Sequence, residues 1–141
     1  MFANGILITW IATILVLLFG AASPISYETV HIVDADAAFD LIENFGEKLQ
    51  ILDVRTKEEY ILGHIPNASN INIGDSNFKD QISFLDPDIP VLVYCRSGMR
   101  AESAASILTS EGFVEIYLMK DEFSNWKKSH PVEETLPLIT R

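Results

Sequence analysis

From Val30 to Lys128, short apolar or β-branched runs alternate with segments of helical spacing, and this alternation limits the fold more than any single residue does. Parallel strands need a crossover connection, usually a helix, so the order strand–helix–strand points to a mostly parallel sheet with helices on both faces. Val30 to Val33 is a β-branched run, and Asp34 stands at the cap of a helix through Ala35, Ala38, Phe39, Leu41 and Ile42, with Gly46 after its end. Leu49 to Asp53 is a compact apolar strand. Thr56 with Glu59 three residues later forms a capping box that opens a short helix through Tyr60 to Leu62. Ser69 to Ile73 reads as a second short strand and Phe78 to Leu85 as a short helix. The turn Asp86-Pro87-Asp88 leads into Pro90-Val91-Leu92-Val93-Tyr94, the strongest buried-strand pattern in the chain. Arg100 to Ser110 is an alanine-rich helix closed by Gly112, Val114 to Leu118 is a fifth strand, and Phe123 to Lys128 is a last helix before His130-Pro131. The expectation is a single α/β domain with a five-stranded sheet.

A hydrophobic segment precedes it. Gly5 to Ala22 is an apolar run, and residues 1–22 contain no charged side chain. Its length lies at the boundary between a signal-peptide core and a spanning helix of about 20 residues. Gly20-Ala21-Ala22 offers a cleavage site before Ser23, and Pro24 interrupts a continuing helix. Against cleavage, no Lys or Arg precedes Lys48, so no basic region leads the run. Both fates stay open: a leader removed near Ala22, or an uncleaved anchor. Both carry the domain to a membrane, and export to the periplasm or cell envelope is the expectation. A buried core helix is disfavoured because the run has no polar face. The resulting division is 1–22 leader or anchor, 23–29 linker, 30–135 domain and 136–141 tail.

All ten Lys/Arg and twenty Asp/Glu follow Ala22, so the net charge of −10 belongs to the domain and its flanks. An acidic body repels polyanions at long range, which argues against a nucleic-acid-binding role. One cysteine excludes an intramolecular disulfide and a C-x-x-C redox or metal site. A lone thiol kept in an exported chain points to use.

That thiol sits in the segment richest in chemistry. Cys95-Arg96-Ser97-Gly98-Met99-Arg100 lies between the strand ending at Tyr94 and the helix beginning near Arg100, at the carboxyl edge where open α/β sheets place their sites. Gly98 permits a positive φ, backbone N–H groups can converge, and the helix N-terminus and two guanidinium groups add positive charge, which together make an anion cradle. Such surroundings favour the thiolate, the nucleophilic form, so Cys95 is expected to be ionised and exposed. The competing reading is an inert cysteine ending a core strand.

Several blocks together resemble the rhodanese family, over about Tyr27 to Glu133. Leu52-Asp53-Val54-Arg55, Glu58-Glu59-Tyr60 and Gly63-His64-Ile65-Pro66-Asn67-Ala68 resemble its first signature, Val91 to Arg100 its active-site loop, and Trp126 with Pro131-Val132 its closing segment. The resemblance implies a rhodanese-like fold and a two-step transfer. In it Cys95 takes a sulfane sulfur from a donor such as thiosulfate or a persulfide and passes it to cyanide or a thiol, with no metal or organic cofactor. Arg96, Ser97, Gly98, Met99 and Arg100 are the implied substrate-binding loop. The four residues between Cys95 and Arg100 match the short loop of sulfurtransferases, whereas related cell-cycle phosphatases carry one more.

Asp53 and Arg55 end a strand near the same edge, where they either support the site or form an ion-pair network around the Thr56 helix. His64 resembles a packing and hydrogen-bonding element more than a base, Met99 reads as a residue that packs or shapes the entrance, and Trp126 as a core residue. Ser97 is either a hydroxyl donor to the substrate or a simple turn residue. One stretch departs from the family: paired glycines are common before the closing tryptophan, but this chain has Met119-Lys120-Asp121-Glu122-Phe123. Asp121 and Glu122 are therefore expected near the site, opposing an anionic donor. A membrane-tethered rhodanese-like binding module with little turnover is the alternative function.

Overall fold

The computed structural model describes residues 29–135; the apolar run, all of the linker except Thr29, and the tail 136–141 lie outside the described residues. Its elements follow the predicted alternation: β1 (Val30–Val33), α1 (Ala35–Phe45), β2 (Gln50–Asp53), α2 (Lys57–Ile61), β3 (Ser69–Asn70), α3 (Phe78–Ile82), β4 (Val91–Tyr94), α4 (Met99–Ser110), β5 (Ile116–Met119) and α5 (Phe123–Ser129). The strands form one sheet in the order β1-β5-β4-β2-β3, and every pair in it is parallel. The one antiparallel contact among the described residues is an isolated bridge between His64 and Glu133.

Because β4 is central, all four of its residues are buried, and alternate side chains serve opposite layers. Val91 and Val93 pack with Ala101, Ala104, Ala105 and Leu108 of α4 and with Phe78 and Ile82 of α3. Leu92 and Tyr94 pack on the other face with Ala38 of α1 and Phe123 and Trp126 of α5. The small residues of α4 let it lie close against the strands. The caps behave as the sequence predicts: Asp34 accepts from the Ala37 N–H at 2.8 Å, and Thr56 and Glu59 make the reciprocal capping box.

Several boundaries differ from the sequence reading, most by a single residue; four have an evident local reason. A 3-10 turn, Gly46–Lys48, intervenes before β2, so the strand starts at Gln50 rather than Leu49. β3 is only two residues long, because the Asn72 side chain accepts from Gly74 N–H and donates to Asp75, closing a turn where the strand would continue. α3 stops at Ile82, with the Ser83 hydroxyl bonded back to the Asp80 carbonyl. β5 starts at Ile116, two residues after Val114, whose N–H goes to the Pro87 carbonyl instead of the ladder. Among the described residues no helix is long and apolar enough to cross a membrane.

Candidate active site

The carboxyl ends of β2, β4 and β5 meet at one edge of the sheet: Asp53 is in register with Tyr94, and Tyr94 with Met119. Cys95 follows Tyr94, and the chain turns through Arg96, Ser97 and Gly98 into α4. Gly98 makes that turn possible. Its φ is +87°, and a Cβ there would stand 2.8 Å from the Lys120 carbonyl oxygen and 3.2 Å from Lys120 Cα, so the loop is wedged against the end of β5 in a conformation and a space open only to glycine. In this arrangement the Gly98 N–H points at the thiol, with 3.1 Å between N and Cys95 Sγ. The Phe123 N–H donates to the Arg96 carbonyl at 2.9 Å and ties the loop to the head of α5.

Cys95 is fully buried (0% exposed), where the sequence reading expected exposure. The reason is its place directly after the central strand: it packs in the same layer as Val93, Ala101 and Ala104, and the Gly98 N–H of the following turn contacts its sulfur. Arg96 and Ser97 reach the surface, and Met99 is exposed and packs little. Arg100 turns its guanidinium to Glu59, giving Nη1 and Nη2 to the two carboxylate oxygens at 2.7 and 2.8 Å. The Arg100 hydrogen bonds hold the Glu59 carboxyl down at about 2, against the opposing effect of its own partial burial. Arg100 is raised in turn, by its hydrogen bonds to Glu59 first and, after the cost of burial, by the charges of Glu59, Cys95 and Asp53.

Asp53 and Arg55 form a buried ion pair. Arg55 Nε contacts both carboxylate oxygens at 3.0 Å, its Nη2 reaches Asp53 at 2.6 Å and the Gly63 carbonyl at 2.7 Å, and the guanidinium lies 4.1 Å above the Phe123 ring. Burial works against the Arg55 charge, but the hydrogen bonds and charge of Asp53 leave its pKa raised. Tyr94, buried beside Asp53, has its hydroxyl pushed well up by desolvation and accepts the Ile65 N–H at 3.0 Å. The pair thus supports the β2–α2 connection from beneath. His64 serves the same region: it stacks on Tyr60 with centroids 3.7 Å apart and places Nδ1 2.9 Å from the Tyr60 carbonyl. Trp126 is buried in the core and donates Nε1–H to the Pro131 carbonyl.

A hollow of about 400 Å³ opens beside the loop, lined by Arg96 and Ser97 of the loop, Arg55, Glu59, Leu62 and Gly63 of the β2–α2 side, and Glu122, Phe123, Ser124 and Lys127 of α5 and its cap. Of the two carboxylates expected here, Glu122 lines the hollow. Asp121 does not: it accepts from the Glu122 N–H at 2.9 Å and from Asn125 Nδ2 at 2.5 Å, locking the start of α5. No residue between Met119 and Phe123 has a positive φ, so this connection is made without the conformation that paired glycines would allow. Glu59, Leu62, Gly63, Phe123, Ser124 and Lys127 also line the hollow, and the sequence alone does not mark them as site residues. Phe123 and Lys127 carry the one available sequence signal, a four-residue spacing that puts both on one side of α5; nothing in the sequence pairs Glu59 with Arg100.

Fold and site together define a parallel α/β domain with one thiol held in the loop between its central strand and the following helix. The chain belongs to the family of the rhodanese-like domain, whose model matches residues 28–129. It is 35% identical over 83 residues to a thiosulfate sulfurtransferase GlpE of Pseudomonas fluorescens, covering 59% of this chain and 74% of that one. A thiosulfate sulfurtransferase GlpE of Coxiella burnetii is 32% identical over 97 residues, covering 69% and 87%. Among solved structures, the rhodanese-like domain of an Anabaena protein superimposes with a TM-score of 0.65 at 27% identity, over 77% of this chain and 82% of that one.

Proposed function

We propose that this rhodanese-type sulfurtransferase moves sulfane sulfur through a persulfide on Cys95. The observation that carries the reading is the Gly98 N–H directed at Cys95 Sγ where the loop enters α4, with Arg96 beside it on the hollow. In the first step the Cys95 thiolate attacks the outer sulfur of a donor such as thiosulfate. The donor S–S bond breaks, sulfite leaves with the bonding pair, and Cys95 holds the extra sulfur as an anion that backbone N–H groups stabilise. In the second, a thiolate or cyanide attacks that terminal sulfur and the Cys95 thiolate departs. Arg96 holds the anionic donor and leaving group; Arg100, gripped by Glu59, contributes its charge from the side. Ser97 lines the hollow and presents its hydroxyl to the donor. Since Cys95 is fully buried, transfer requires a local opening around it.

The uncharged run of residues 5–22 supports export of the domain to the periplasm or cell envelope, as a cleaved or anchored protein. Cell fractionation with N-terminal sequencing of the mature chain tests that part. For the chemistry, incubation with thiosulfate is expected to add one sulfur, about 32 Da, to wild type and none to Cys95→Ser in intact mass spectra. Wild-type protein that gains no sulfur from thiosulfate or from a persulfide would leave the second reading, a rhodanese-like binding module, which the burial of Cys95 favours.

A further inference from the structure

Charges around the hollow are not equivalent. Arg55 is neutralised by Asp53, and Glu59 by Arg100. Arg96, Lys127 and Glu122 line the same hollow, and among the described residues none of the three has an ion-pair partner; Glu122 accepts a hydrogen bond from the Ser124 hydroxyl at 3.0 Å. The cavity therefore presents two uncompensated cations and one uncompensated carboxylate. Glu122 is also fixed close to the chemistry. It caps α5 with an extended backbone, φ −69° and ψ 137°, and the next residue, Phe123, is bonded through its N–H to the carbonyl of Arg96, the neighbour of Cys95.

Size points the same way. A five-atom oxyanion fills the space of a few waters, each about 30 Å³ in the liquid, whereas about 400 Å³ is within the range of sites for small organic molecules. A dianion entering this hollow gains two cations but meets Glu122. A small zwitterion places its anionic group on Arg96 and Lys127 and its ammonium on Glu122.

Resting on the sulfurtransferase reading, we propose that the preferred donor is a low-molecular-weight persulfide bearing both an ammonium and an anionic group, and that Glu122 is the residue that reads the ammonium. The transfer balances without an added oxidant or reductant. The Cys95 thiolate bonds to the outer sulfur of R–S–SH, the S–S bond breaks, RS⁻ leaves with the electron pair, and the proton stays on the new Cys95 persulfide or passes to solvent.

The test compares the rate at which the full chain takes up sulfur, read by intact mass, from thiosulfate, from cysteine persulfide and from its des-amino analogue, 3-mercaptopropionate persulfide. Wild type is expected to prefer cysteine persulfide over the des-amino compound by about fivefold, the scale of one partly exposed charge pair. In Glu122→Gln that ratio falls to about one and thiosulfate uptake rises; Glu122→Lys raises thiosulfate uptake further. Glu47→Gln, on the exposed turn before β2 at the other end of the sheet, controls for net charge and keeps the wild-type ratio. A wild-type ratio near one, a ratio unchanged in Glu122→Gln, or one equally lost in Glu47→Gln overturns the assignment while leaving the Cys95 chemistry intact. Failure of every donor to charge wild-type Cys95 removes the sulfurtransferase reading and this selectivity with it.

Discussion

Glu59 holds both ends of the Arg100 guanidinium fork, at 2.7 and 2.8 Å, across 41 residues of sequence. The same carboxylate accepts the Thr56 N–H at 3.2 Å, so one side chain closes the head of α2 and clamps the head of α4. A salt bridge joining two helix starts fixes how the β2 and β4 connections face each other, which a surface pair within one helix would not do.

This clamp makes a pH prediction. Glu59 titrates at about 2 in the folded protein against an ordinary value of 4.5. A depressed carboxyl contributes stability that is fully present above its unfolded value and is lost as pH falls through its folded one. Both side chains are about a third exposed, 27% for Glu59 and 34% for Arg100, so solvent screening cuts the contribution to about 1 kcal/mol. Glu59→Gln is expected to lose about that much at pH 7 in urea unfolding. The gap from wild type should then narrow as pH falls from 4.5 towards 2. An equal gap at pH 7 and pH 3 would show that the loss comes from the capping box instead.

Two glycines with nearly the same backbone separate strain from crowding. Gly98 and Gly112 have φ of +87° and +90°, but a Cβ meets the Lys120 backbone at 2.8 Å in the first and nothing within 4 Å in the second. Gly112→Ala is expected to cost about 1 kcal/mol from the left-handed conformation alone. Gly98→Ala is expected to cost about 3 kcal/mol or more, since rigid backbone has to shift. It should also slow sulfur uptake at Cys95 by displacing the N–H that contacts Sγ. Equal unfolding midpoints for the two variants would contradict the wedged loop.

How far the sequence discloses this arrangement depends on the range of the interaction. Asp34, the Thr56–Glu59 box and the Pro90–Tyr94 run act within a few residues, and their elements are legible because the cause is local. The Cys95–Arg100 loop is legible for the same reason: strand, turn glycine and helix are contiguous. Strand ends are not legible where a side chain overrides propensity, as Asn72 does after β3. What the sequence does not show is tertiary. The burial of Cys95 follows from β4 being central, which is a property of strand order, and the opposite fates of adjacent Asp121 and Glu122 depend on how α5 docks on the loop.

The Asp53–Arg55 pair predicts non-additive mutational costs. Both groups are buried and joined by three side-chain hydrogen bonds, so removing one partner strands the other charge in the core. Asp53→Leu or Arg55→Met alone is expected to lose about 3–5 kcal/mol, and the double variant much less than their sum. Arg55→Lys should recover little, because a single ammonium cannot reproduce the fork that reaches both Asp53 and Gly63. A chemical-denaturation cycle measures each term. Additive losses would mean that the two side chains act independently.

Burial of the thiol under its own loop predicts that reagent size governs Cys95 labelling. Sγ is buried and contacted by the N–H of Gly98, in a turn pinned by the Lys120 backbone on one side and by the Phe123 N–H to Arg96 carbonyl bond on the other. A small reagent such as iodoacetamide needs only a local opening of the turn, while an aromatic disulfide such as Ellman's reagent needs the turn to separate from α5. If the wider opening costs about 1.4 kcal/mol more, the ratio of small- to large-reagent rates exceeds that of a free thiol by about tenfold. Phe123→Ala removes the ring that packs against Tyr94 and under Arg55, loosening the head of α5, and is expected to bring the ratio back towards that of the free thiol. The measurement is the pseudo-first-order labelling rate of each reagent, referenced to a cysteine peptide in the same buffer. A wild-type ratio equal to the peptide's would mean that the turn is open in solution and that donors meet the sulfur without any loop movement.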